Sequence, residues 1–515
     1  MPAFSIITPV YNPPIWALQA CIDSVLKQSF TDWEWCIADD CSTDPKVHKV
    51  LKKLAKKDKR VRLEFRSQNG GIVEASNTAI GLAVGEFIVL LDHDDSLTPD
   101  ALTEINDVVS TRPEIDYLYS DEDKIDEKGR IFDHFQKPDF SPERLRGQNY
   151  CSHLSVFRKS LLDEVGYFRA GFDGSQDYDL ILRATEKARE IFHIRKVLYH
   201  WRVVEGSTAG DIDAKAESFN HAKDAVEEHC QRIGLSASVE NSDLGYVIVK
   251  RNITKSPKVS IIIPTRGDKK RVWGIETCLV SNAVNSILQR STYLNYEIII
   301  VHDVVNKFSP ELQSLLEDER VKVIWYSKPF DFSEKCNLGA IHSTGEVVVL
   351  LNDDTEIISE DWIEVLISFL EDEDVAAVGP VTLLENGCFQ SAGHSNNPQV
   401  HNLGNGDVIY ARGDFGSRLV SREISGITGA CMAIPRDKYF ELGGYSTAFP
   451  HSYNDVDFCF KALEKNYRII WTPLAKIWHF ESLSRNPTVR EEEYNLLHRR
   501  WGRYFGQDRF SNQLS

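Results

Sequence analysis

Short apolar runs alternate with helix-like segments along the first hundred residues of the chain. Apolar runs of strand length bounded by polar or turn residues are typical of β-strands, and apolar positions three or four apart are typical of helices. The patterns predict strands at 4–10, 33–38, 61–66 and 87–91, and helices at 15–28, 45–58 and 71–84. This βαβαβαβ order predicts a parallel sheet with helices on both faces, so the expected fold class is α/β.

The predicted strand at 87–91 leads directly into three carboxylates, those of Asp92, Asp94 and Asp95. Its unbroken apolar run predicts burial on both faces, and open α/β sheets bind ligands at the carboxyl ends of such strands. Carboxylates this close repel one another unless a cation lies among them. Oxygen ligands without a nearby cysteine favour Mg²⁺ or Mn²⁺, which often bind substrate phosphates as well. For one such cluster, a solvated acidic turn is an equally good interpretation.

The whole pattern occurs a second time, about 260 residues further along the chain. GEFIVLLDHDD at 85–95 returns as GEVVVLLNDDTE at 345–356. Three further motifs return in the same order: FSIITPVYN at 4–12 as VSIIIPTRGD at 259–268, QDYDLILR at 176–183 as NDVDFCFK at 454–461, and LYHWR at 198–202 as IWHFES at 477–482. A repeat this long indicates two domains in tandem. We expect an N-terminal domain at 1–240, a connector at 241–257 and a C-terminal domain at 258–515.

Composition and charge narrow the class of protein. The 515 residues include 59 Lys and Arg against 77 Asp and Glu, which leaves a net charge of −18 and argues against nucleic acid as a partner. No apolar stretch approaches the roughly 20 residues that span a bilayer, and Met1 precedes a strand rather than a signal peptide. The ten cysteines form no CxxC pair, as expected of reduced thiols. The sequence therefore predicts a cytoplasmic protein.

Two basic segments are candidates for a peripheral contact with the inner face of the cell membrane. Seven lysines and arginines lie between residues 49 and 60 and could contact anionic lipid or a phosphorylated acceptor. The alternative for this segment is a solvated helix face. The C-terminal stretch 498–506 mixes arginines with aromatic residues, which fits either a membrane-surface contact or docking of the last helix onto its own domain.

The motifs SIITPVYN, IADDCSTD, GEFIVLLDHDD, SQDYDLILR and YHWR resemble those of the inverting family 2 glycosyltransferases. The second copy, with LLNDDTE, NDVDFCFK and IWHFES, is similar to the C-terminal partner in tandem proteins that build bacterial O-antigens or capsules. Together the motifs cover almost the whole chain. The resemblance implies two tandem GT-A domains with Rossmann-like, mostly parallel sheets. It also implies nucleotide-sugar donors, a lipid-linked glycan acceptor, and one Mn²⁺ or Mg²⁺ ion per active domain.

The resemblance also assigns roles to individual residues. Asp177 and Asp455 are the expected general bases, and Gln176 replaces the acid that usually precedes the base. The expected metal ligands are Asp94, Asp95 and His200 in the first domain, with Asp354 and His479 in the second. Contacts with the nucleotide sugar are expected from eleven residues: Thr8, Pro9, Tyr11, Asp39, Asp40, Asp92, Pro264, Thr265, Asp303, Asn352 and Asp353. Asp92 is also expected near the metal. The two histidines fall at matching places in the sequence motifs, which favours a ligand role over a structural one.

Three functions remain open at this point. The first is a bifunctional enzyme in which each domain moves one sugar from a nucleotide-sugar donor onto a growing glycan. The second is a single active N-terminal transferase with a degenerate C-terminal domain that binds the acceptor or acts as a scaffold, because His302 replaces an acid of the first copy. The third is a nucleotidyltransferase, which would need a basic, glycine-rich phosphate loop after the first strand, and ITPVYNPP lacks one. The donor, the sugar, the linkage, the acceptor and the oligomeric state are not specified by the sequence.

Overall fold

The structure, a computed structural model, describes residues 1–203, 212–306, 309–480 and 489–511, and only the backbone of 212–216. The chain divides into two compact units. The N-terminal unit comprises Met1–Phe140, Leu145–Leu235 and Val239–Ile248, and the C-terminal unit comprises Ser141–Arg144, Ser236–Ser238 and Val249–Ser515. The domain limits expected from the sequence, 1–240 and 258–515, stay predictions. A two-stranded hairpin covers the start of the expected connector.

The strands up to residue 251 are β1 (Phe4–Val10), β2 (Trp33–Asp39), β3 (Val61–Phe65), β4 (Phe87–Leu90), β5 (Ser96–Leu97), β6 (Ile115–Ile125), β7 (Ile131–Phe135), β8 (Ser155–Arg158), β9 (Glu190–Arg202), β10 (Ala237–Asn241) and β11 (Val247–Arg251). The helices are α1 (Ile15–Leu26), α2 (Pro45–Lys57), α3 (Gly71–Leu82), α4 (Ala101–Thr111), α5 (Pro142–Gly147), α6 (Lys159–Val165), α7 (Gln176–Thr185) and α8 (Ile212–Arg232).

The N-terminal unit is built on one sheet with the strand order β3-β2-β1-β4-β8-β6-β9-β5, and β7 lies beside β6. Strands β3, β2, β1 and β4 are mutually parallel, so their carboxyl ends meet at one edge of the sheet. Strand β8 runs antiparallel to β4 and therefore starts at that same edge. The predicted α/β class with a mostly parallel sheet is confirmed.

A buried contact at the opposite edge explains the glycine that precedes each acidic strand. The Ser5 hydroxyl donates to Glu34 at 2.7 Å and accepts from the Gly85 amide at 2.8 Å. A Cβ on Gly85 would lie 2.6 Å from the Ser5 hydroxyl oxygen and 2.8 Å from the Ser5 nitrogen, so only glycine fits here. The C-terminal unit repeats the contact at three corresponding residues: Ser260, Glu297 and Gly345.

The sequence of α2 explains where this helix begins and which of its faces is exposed to solvent. The Asp44 side chain accepts from the Lys46 amide at 2.8 Å, and Pro45 occupies the first turn, where no amide donor is needed. Three apolar residues at positions 47, 51 and 54 are buried against the sheet. Seven exposed lysines cover the outer face and the turn after the helix: Lys46, Lys49, Lys52, Lys53, Lys56, Lys57 and Lys59.

The strands after residue 251 are β12 (Val259–Thr265), β13 (Lys269–Val272), β14 (Ile275–Cys278), β15 (Tyr296–Asp303), β16 (Val321–Tyr326), β17 (Val347–Leu351), β18 (Thr355–Ile357), β19 (Val375–Leu383), β20 (Phe389–Ser391), β21 (His394–Ser395), β22 (His401–Asn402), β23 (Arg422–Glu423), β24 (Cys431–Pro435) and β25 (Arg468–His479). The helices are α9 (Leu279–Arg290), α10 (Pro310–Leu315), α11 (Phe332–His342), α12 (Trp362–Phe369), α13 (Arg436–Glu441), α14 (Asn454–Glu464) and α15 (Glu491–Trp501), with short 3₁₀ helices at Asp414–Gly416 and Gly502–Tyr504.

The C-terminal unit repeats the sheet of the first, with the order β16-β15-β12-β17-β24-β19-β25-β18. Strands β16, β15, β12 and β17 are again parallel, and β24 is antiparallel to β17. Three features have no counterpart among the described strands of the first unit: the hairpin β13–β14 after the first strand, the pair β21–β22 within the glycine-rich segment 385–417, and β23 beside β25. The repeated sheet supports the duplication that the motifs predict.

The C-terminal helix α15 is docked on its own unit. Leu497 and Trp501 are buried with Phe449, Val456 and Phe460 in one apolar cluster. This contact corresponds to the docking alternative for the basic, aromatic stretch 498–506. None of the described helices combines the length and the apolar character that crossing a bilayer requires.

Candidate active sites

The N-terminal unit has a cavity of about 70 Å³ at the carboxyl ends of β1 and β4. The cavity joins three predicted site residues, Pro9, Asp92 and Asp177, although they lie far apart in the sequence. Two residues that the motifs did not assign, His153 and Tyr199, also line it. The fold therefore brings the acidic strand end and the expected base into one site.

Asp92, Asp95 and His153 form a compact group that could hold a metal ion. One potential ligand atom from each lies within 4.8 Å of the other two. Burial raises the pKa of Asp92, and burial together with the charge of Asp92 raises the pKa of Asp95 to about 8. Asp95 is also held in place, since it accepts from the Tyr199 hydroxyl at 2.5 Å and from the Arg202 amide at 2.7 Å. A divalent cation would relieve the repulsion between the two carboxylates.

His153 is the member of this group that the sequence motifs did not reveal. Its Nδ1 lies 3.3 Å from a Glu122 carboxylate oxygen, which the fully buried Lys137 contacts at 2.9 Å. Burial alone would lower the pKa of His153, but the carboxylates of Glu122, Asp95 and Asp92 together outweigh burial and raise it to about 9. The Tyr199 ring stacks on the imidazole at a centroid distance of 4.8 Å. The signal that could have identified His153 is its place just before β8, which runs back along β4 from the acidic residues.

Two predicted metal ligands, His200 and Asp94, lie outside this group. His200 points to the other face of β9, where its Nδ1 lies 2.5 Å from Asp123. The carboxylate of Asp94 is partly exposed, and its nearest imidazole is that of His93, at 3.9 Å. A metal role for these two residues stays a prediction, and the structure offers His153 as the alternative imidazole.

The expected nucleoside contacts of the first unit lie at the ends of β1 and β2. Thr8 is buried, and its hydroxyl accepts from the Trp35 indole at 2.9 Å. Tyr11 is 47% exposed. One carboxylate oxygen of Asp39 accepts from the Ser42 amide at 3.1 Å, and the other is buried without a hydrogen-bond donor among the described residues. An unsatisfied buried acceptor fits an incoming N–H group.

Asp40, next to it, has a different environment. Its carboxylate pairs with Arg66 and accepts from the amides of Gly70 and Gly71 at 3.0 and 2.8 Å. These contacts fix the turn that starts α3. Within this pair of acids, Asp39 is therefore the one that remains available to a ligand.

The expected base of the first unit, Asp177, lies in the first turn of α7. One oxygen accepts from the Asn149 side-chain amide at 2.9 Å, and the other accepts from the Tyr178 amide at 2.8 Å. Burial raises the pKa of Asp177. Both hydrogen bonds favour the ionised form that a base requires. Gln176, beside it, lines the same cavity.

The C-terminal unit has a larger cavity, of about 230 Å³, at the equivalent edge of its sheet. Among its lining residues are seven that the motifs predict: Pro264, Thr265, Asn352, Asp353, Asp354, Asp455 and His479. The segment 385–417 adds Gln390 and His394 to the wall. The structure thus brings together most of the predicted residues of the second site.

The acidic strand end of this cavity differs from the first in its charge. Asn352 and Asp354 lie near His479, whose Nε2 is 3.3 Å from an oxygen of Asp354 and 3.3 Å from the side-chain nitrogen of Asn352. Asp353 accepts from the Thr265 hydroxyl at 2.6 Å. Burial and the neighbouring charge of Asp354 raise the pKa of Asp353 to about 7. These carboxylates and the imidazole could hold a cation with fewer acids than in the first unit.

Asp455 occupies the place of Asp177, in the first turn of α14. Its carboxylate accepts from the backbone amide of Gly429 at 2.7 Å instead of from an asparagine side chain. Gly429 leaves little room for a side chain, because a Cβ there would lie 3.3 Å from the Cβ of Asp455. The two expected bases therefore have the same position and different hydrogen-bond donors.

Asp303, a predicted nucleoside contact, faces a lysine that the motifs did not reveal. Lys335 is fully buried on α11, lies 2.5 Å from Asp303 and donates to the Thr265 carbonyl at 2.8 Å. The position of Asp39 is taken by His302, since the pairing of β12 with β15 repeats that of β1 with β2. Burial lowers the pKa values of both His302 and Lys335. The residues expected to contact the nucleoside therefore have different partners in the two units.

The strand register corrects the match between the two histidines. Ser96 pairs with His200. Glu356, which lies four positions after the first residue of its acidic motif as Ser96 does, pairs with Trp478. His479 is therefore one residue beyond the position of His200, on the other face of its strand. A comparison of motif letters cannot detect this difference.

Comparison with known proteins identifies the family. The family model described as glycosyl transferase family 2 matches residues 5–166 and, separately, residues 260–443. The chain belongs to glycosyl transferase family 2. This membership confirms the resemblance and the predicted enzyme class, a glycosyltransferase, and it sets the nucleotidyltransferase alternative aside.

Two curated relatives match almost the whole of this chain. The uncharacterized protein y4gI of Sinorhizobium fredii is 38% identical over 522 residues, which cover 97% of this chain and 56% of the relative. The O-antigen biosynthesis protein RfbC of Myxococcus xanthus is 31% identical over 516 residues, covering 98% of this chain and 39% of RfbC. The chain thus spans 56% and 39% of the lengths of these relatives. The crystal structure of S. aureus TarS 1–349 in complex with UDP-GlcNAc has a TM-score of 0.36 and 23% identity, over 44% of this chain and 72% of that one.

Proposed function

We propose that the chain is a bifunctional, inverting glycosyltransferase of polysaccharide biosynthesis. Each domain transfers one sugar from a nucleotide-sugar donor to a growing glycan. The observation that carries the proposal is the repeated pairing, in one cavity, of an acidic strand end with a carboxylate at a helix N-terminus. These pairs are Asp92 with Asp177 and Asp354 with Asp455.

The chemistry of inversion assigns a task to each carboxylate. The acceptor hydroxyl attacks the anomeric carbon from the face opposite the departing nucleoside diphosphate, and it loses its proton as the bond forms. Asp177 and Asp455 are the groups that take up this proton, because each is held in its cavity by a donor, from Asn149 and Gly429 respectively. The unsatisfied oxygen of Asp39 supports recognition of a donor base through one of its N–H groups.

A divalent cation is proposed at both strand ends. In the first domain the holding residues are Asp92, Asp95 and His153, whose mutually close ligand atoms support a cation there. In the second domain Asp354 and His479 would hold it. When bound, Mn²⁺ or Mg²⁺ neutralises the charge of the departing diphosphate. The carboxylates that face the cation, Asp92 and Asp95 in the first domain and Asp354 in the second, would then remain ionised.

The acceptor is proposed to be a lipid-linked glycan at the inner face of the cell membrane. The name of RfbC, an O-antigen biosynthesis protein, supports a surface polysaccharide as the product. The exposed lysines of α2 support a peripheral contact with anionic lipid, since within the described part of the chain no carboxylate forms an ion pair with them. Each such lysine near an anionic surface contributes about 1 kcal/mol.

The proposal is tested by hydrolysis of a panel of nucleotide sugars with and without Mn²⁺. We expect two donors, one whose hydrolysis is lost in Asp177→Ala and one whose hydrolysis is lost in Asp455→Ala. Removal of a general base lowers the rate about 10²- to 10⁴-fold. Asp107→Ala, which changes an exposed acid on α4, is the matched control and should hydrolyse both donors normally.

A single donor that depends on Asp177 alone would refute bifunctionality and support the second candidate, an N-terminal transferase with a C-terminal acceptor-binding or scaffold domain. The observation in favour of that candidate is the altered nucleoside end of the second site. There, Lys335 pairs with Asp303, and His302 replaces the acid of the first domain.

A further inference from the structure

Each domain brings one imidazole to its acidic strand end, but the two come from different strands. In the N-terminal domain the imidazole is that of His153, which precedes β8. In the C-terminal domain it is that of His479, the last residue of β25.

Backbone hydrogen bonds give the equivalence for the last long strand. The Thr98 amide donates to the Leu198 carbonyl at 3.0 Å, and the Ile358 amide donates to the Lys476 carbonyl at 3.2 Å. Thr98 and Ile358 are equivalent, because each lies six residues after the first residue of its acidic motif. Residues 198 and 476 are therefore equivalent as well.

Counting three residues onward places Trp201 at the position of His479. The Trp201 ring lies 5.4 Å from the ring of His153, and Tyr199, two residues earlier on the same face, stacks on His153. His200 lies between them and points to the opposite face, toward Asp123. In the N-terminal domain, β9 thus presents aromatic rings where β25 presents an imidazole.

The strand that pairs antiparallel with the acidic-motif strand shows the opposite difference. β8 pairs with β4 in the same register in which β24 pairs with β17, which makes Arg158 equivalent to Pro435. Counting back five residues makes His153 equivalent to Ala430. The Asn352 amide donates to the Ala430 carbonyl at 3.0 Å, so this position lies beside the acidic motif in the second domain too. No imidazole projects from it there.

We propose that the two domains draw their cation-facing imidazole from non-equivalent strands, His153 in the first and His479 in the second. The inference rests on the divalent cation of the proposed function and specifies which residues of this chain face it. Each imidazole is directed by its neighbours. His153 is held by the Glu122–Lys137 pair, and His479 contacts Asp354 directly.

The test is titration of the full chain with Mn²⁺ alone, with free Mn²⁺ measured by electron paramagnetic resonance. The wild type should bind two ions. His153→Gln and His479→Gln should each weaken Mn²⁺ binding at one of the two sites about tenfold or more. Removal of a residue that only hydrogen-bonds to a metal ligand already lowers metal affinity by about this factor. His200→Gln, the same substitution on β9, discriminates between the two candidate imidazoles of the first domain, and the inference expects it to leave both sites unchanged. Thermal unfolding of each variant checks that it folds.

A double variant that moves the imidazole from one position to the other provides a second test. The double variant His153→Gln, Trp201→His places an imidazole at the position that His479 occupies in the second domain, and it should recover the ion that His153→Gln loses. The inference is refuted if His200→Gln loses an ion, or if folded His153→Gln keeps both at wild-type affinity. A wild type that binds no Mn²⁺ would instead refute the cation of the proposed function, so the two failures are distinguishable.

Discussion

The hydrogen bond from Asn149 to Asp177 makes the pH profile of the first transfer predictable. The Asn149 amide donates to a carboxylate that is otherwise held by the amide of the next residue, and burial raises the pKa of Asp177. A donor stabilises the ionised carboxylate and so lowers its pKa. In Asn149→Leu the side chain keeps a similar size but donates no hydrogen bond, so the pKa of Asp177 should rise further.

The size of the change follows from the strength of such a bond. Hydrogen bonds to charged groups contribute about 1.5–3 kcal/mol, and one pKa unit corresponds to about 1.4 kcal/mol. Because a general base acts in its ionised form, activity is lost as the pH falls through its pKa. We therefore expect the acidic limb of log kcat/KM to move upward by about one to two pH units in Asn149→Leu, with the plateau at high pH largely retained.

The assay is the pH dependence of kcat/KM for each of the two donors. The second transfer is an internal control, because Asp455 accepts from the backbone amide of Gly429, which the substitution leaves intact. Only the donor used by the first domain should show the shifted limb. An unchanged limb, or a loss of equal size at every pH, would refute the role of Asn149 and weaken the assignment of Asp177 as the base.

Three further predictions concern stability and location. Arg66→Leu leaves the buried carboxylate of Asp40 unpaired and should lower the free energy of unfolding by about 3 kcal/mol in urea titrations, whereas Lys159→Ala, which breaks a surface ion pair, should cost under about 1 kcal/mol. Equal losses of unfolding free energy in these two variants would contradict the prediction for Arg66. Gly85→Ala forces a Cβ to within 2.6 Å of the Ser5 hydroxyl oxygen and should lower the thermal unfolding midpoint by several degrees, and an unchanged midpoint would show that this contact can relax. The last variant neutralises three lysines of α2: Lys52→Gln, Lys53→Gln and Lys56→Gln. Because each lysine contributes about 1 kcal/mol, the triple variant should bind anionic vesicles about a hundredfold more weakly in flotation assays at low salt. Undiminished binding would exclude this face of α2 as the membrane contact.

The sequence was sufficient for features that depend on local pattern. Alternating strands and helices predicted the α/β class, and the apolar run before the acids predicted β4 and the edge at which Asp92 lies. The polar segment that precedes an amphipathic helix placed Asp177 at the start of α7. The repeated motifs predicted a second domain, and its sheet has the strand order of the first.

Features that depend on pairing between distant segments could not be predicted. His153 reaches Asp92 only because an antiparallel strand returns along β4, and Lys335 reaches Asp303 from a helix whose inward face carries other small or apolar residues. The face on which His200 lies depends on register, and a shift of one residue turns a side chain to the other face. Residues that align in the two sequence copies can therefore lie at different positions in the structure.

Recombination between the two halves of the gene is constrained by these histidines. One product of a crossover between these strands would combine β24 of the second copy with β9 of the first. This hybrid domain would contain Ala430 and Trp201 and would have no imidazole at either position. The reciprocal product joins β8 to β25 and carries both His153 and His479. Gene conversion of a single strand would therefore keep an imidazole where β8 replaces β24 or β25 replaces β9, and would remove it where β24 replaces β8 or β9 replaces β25.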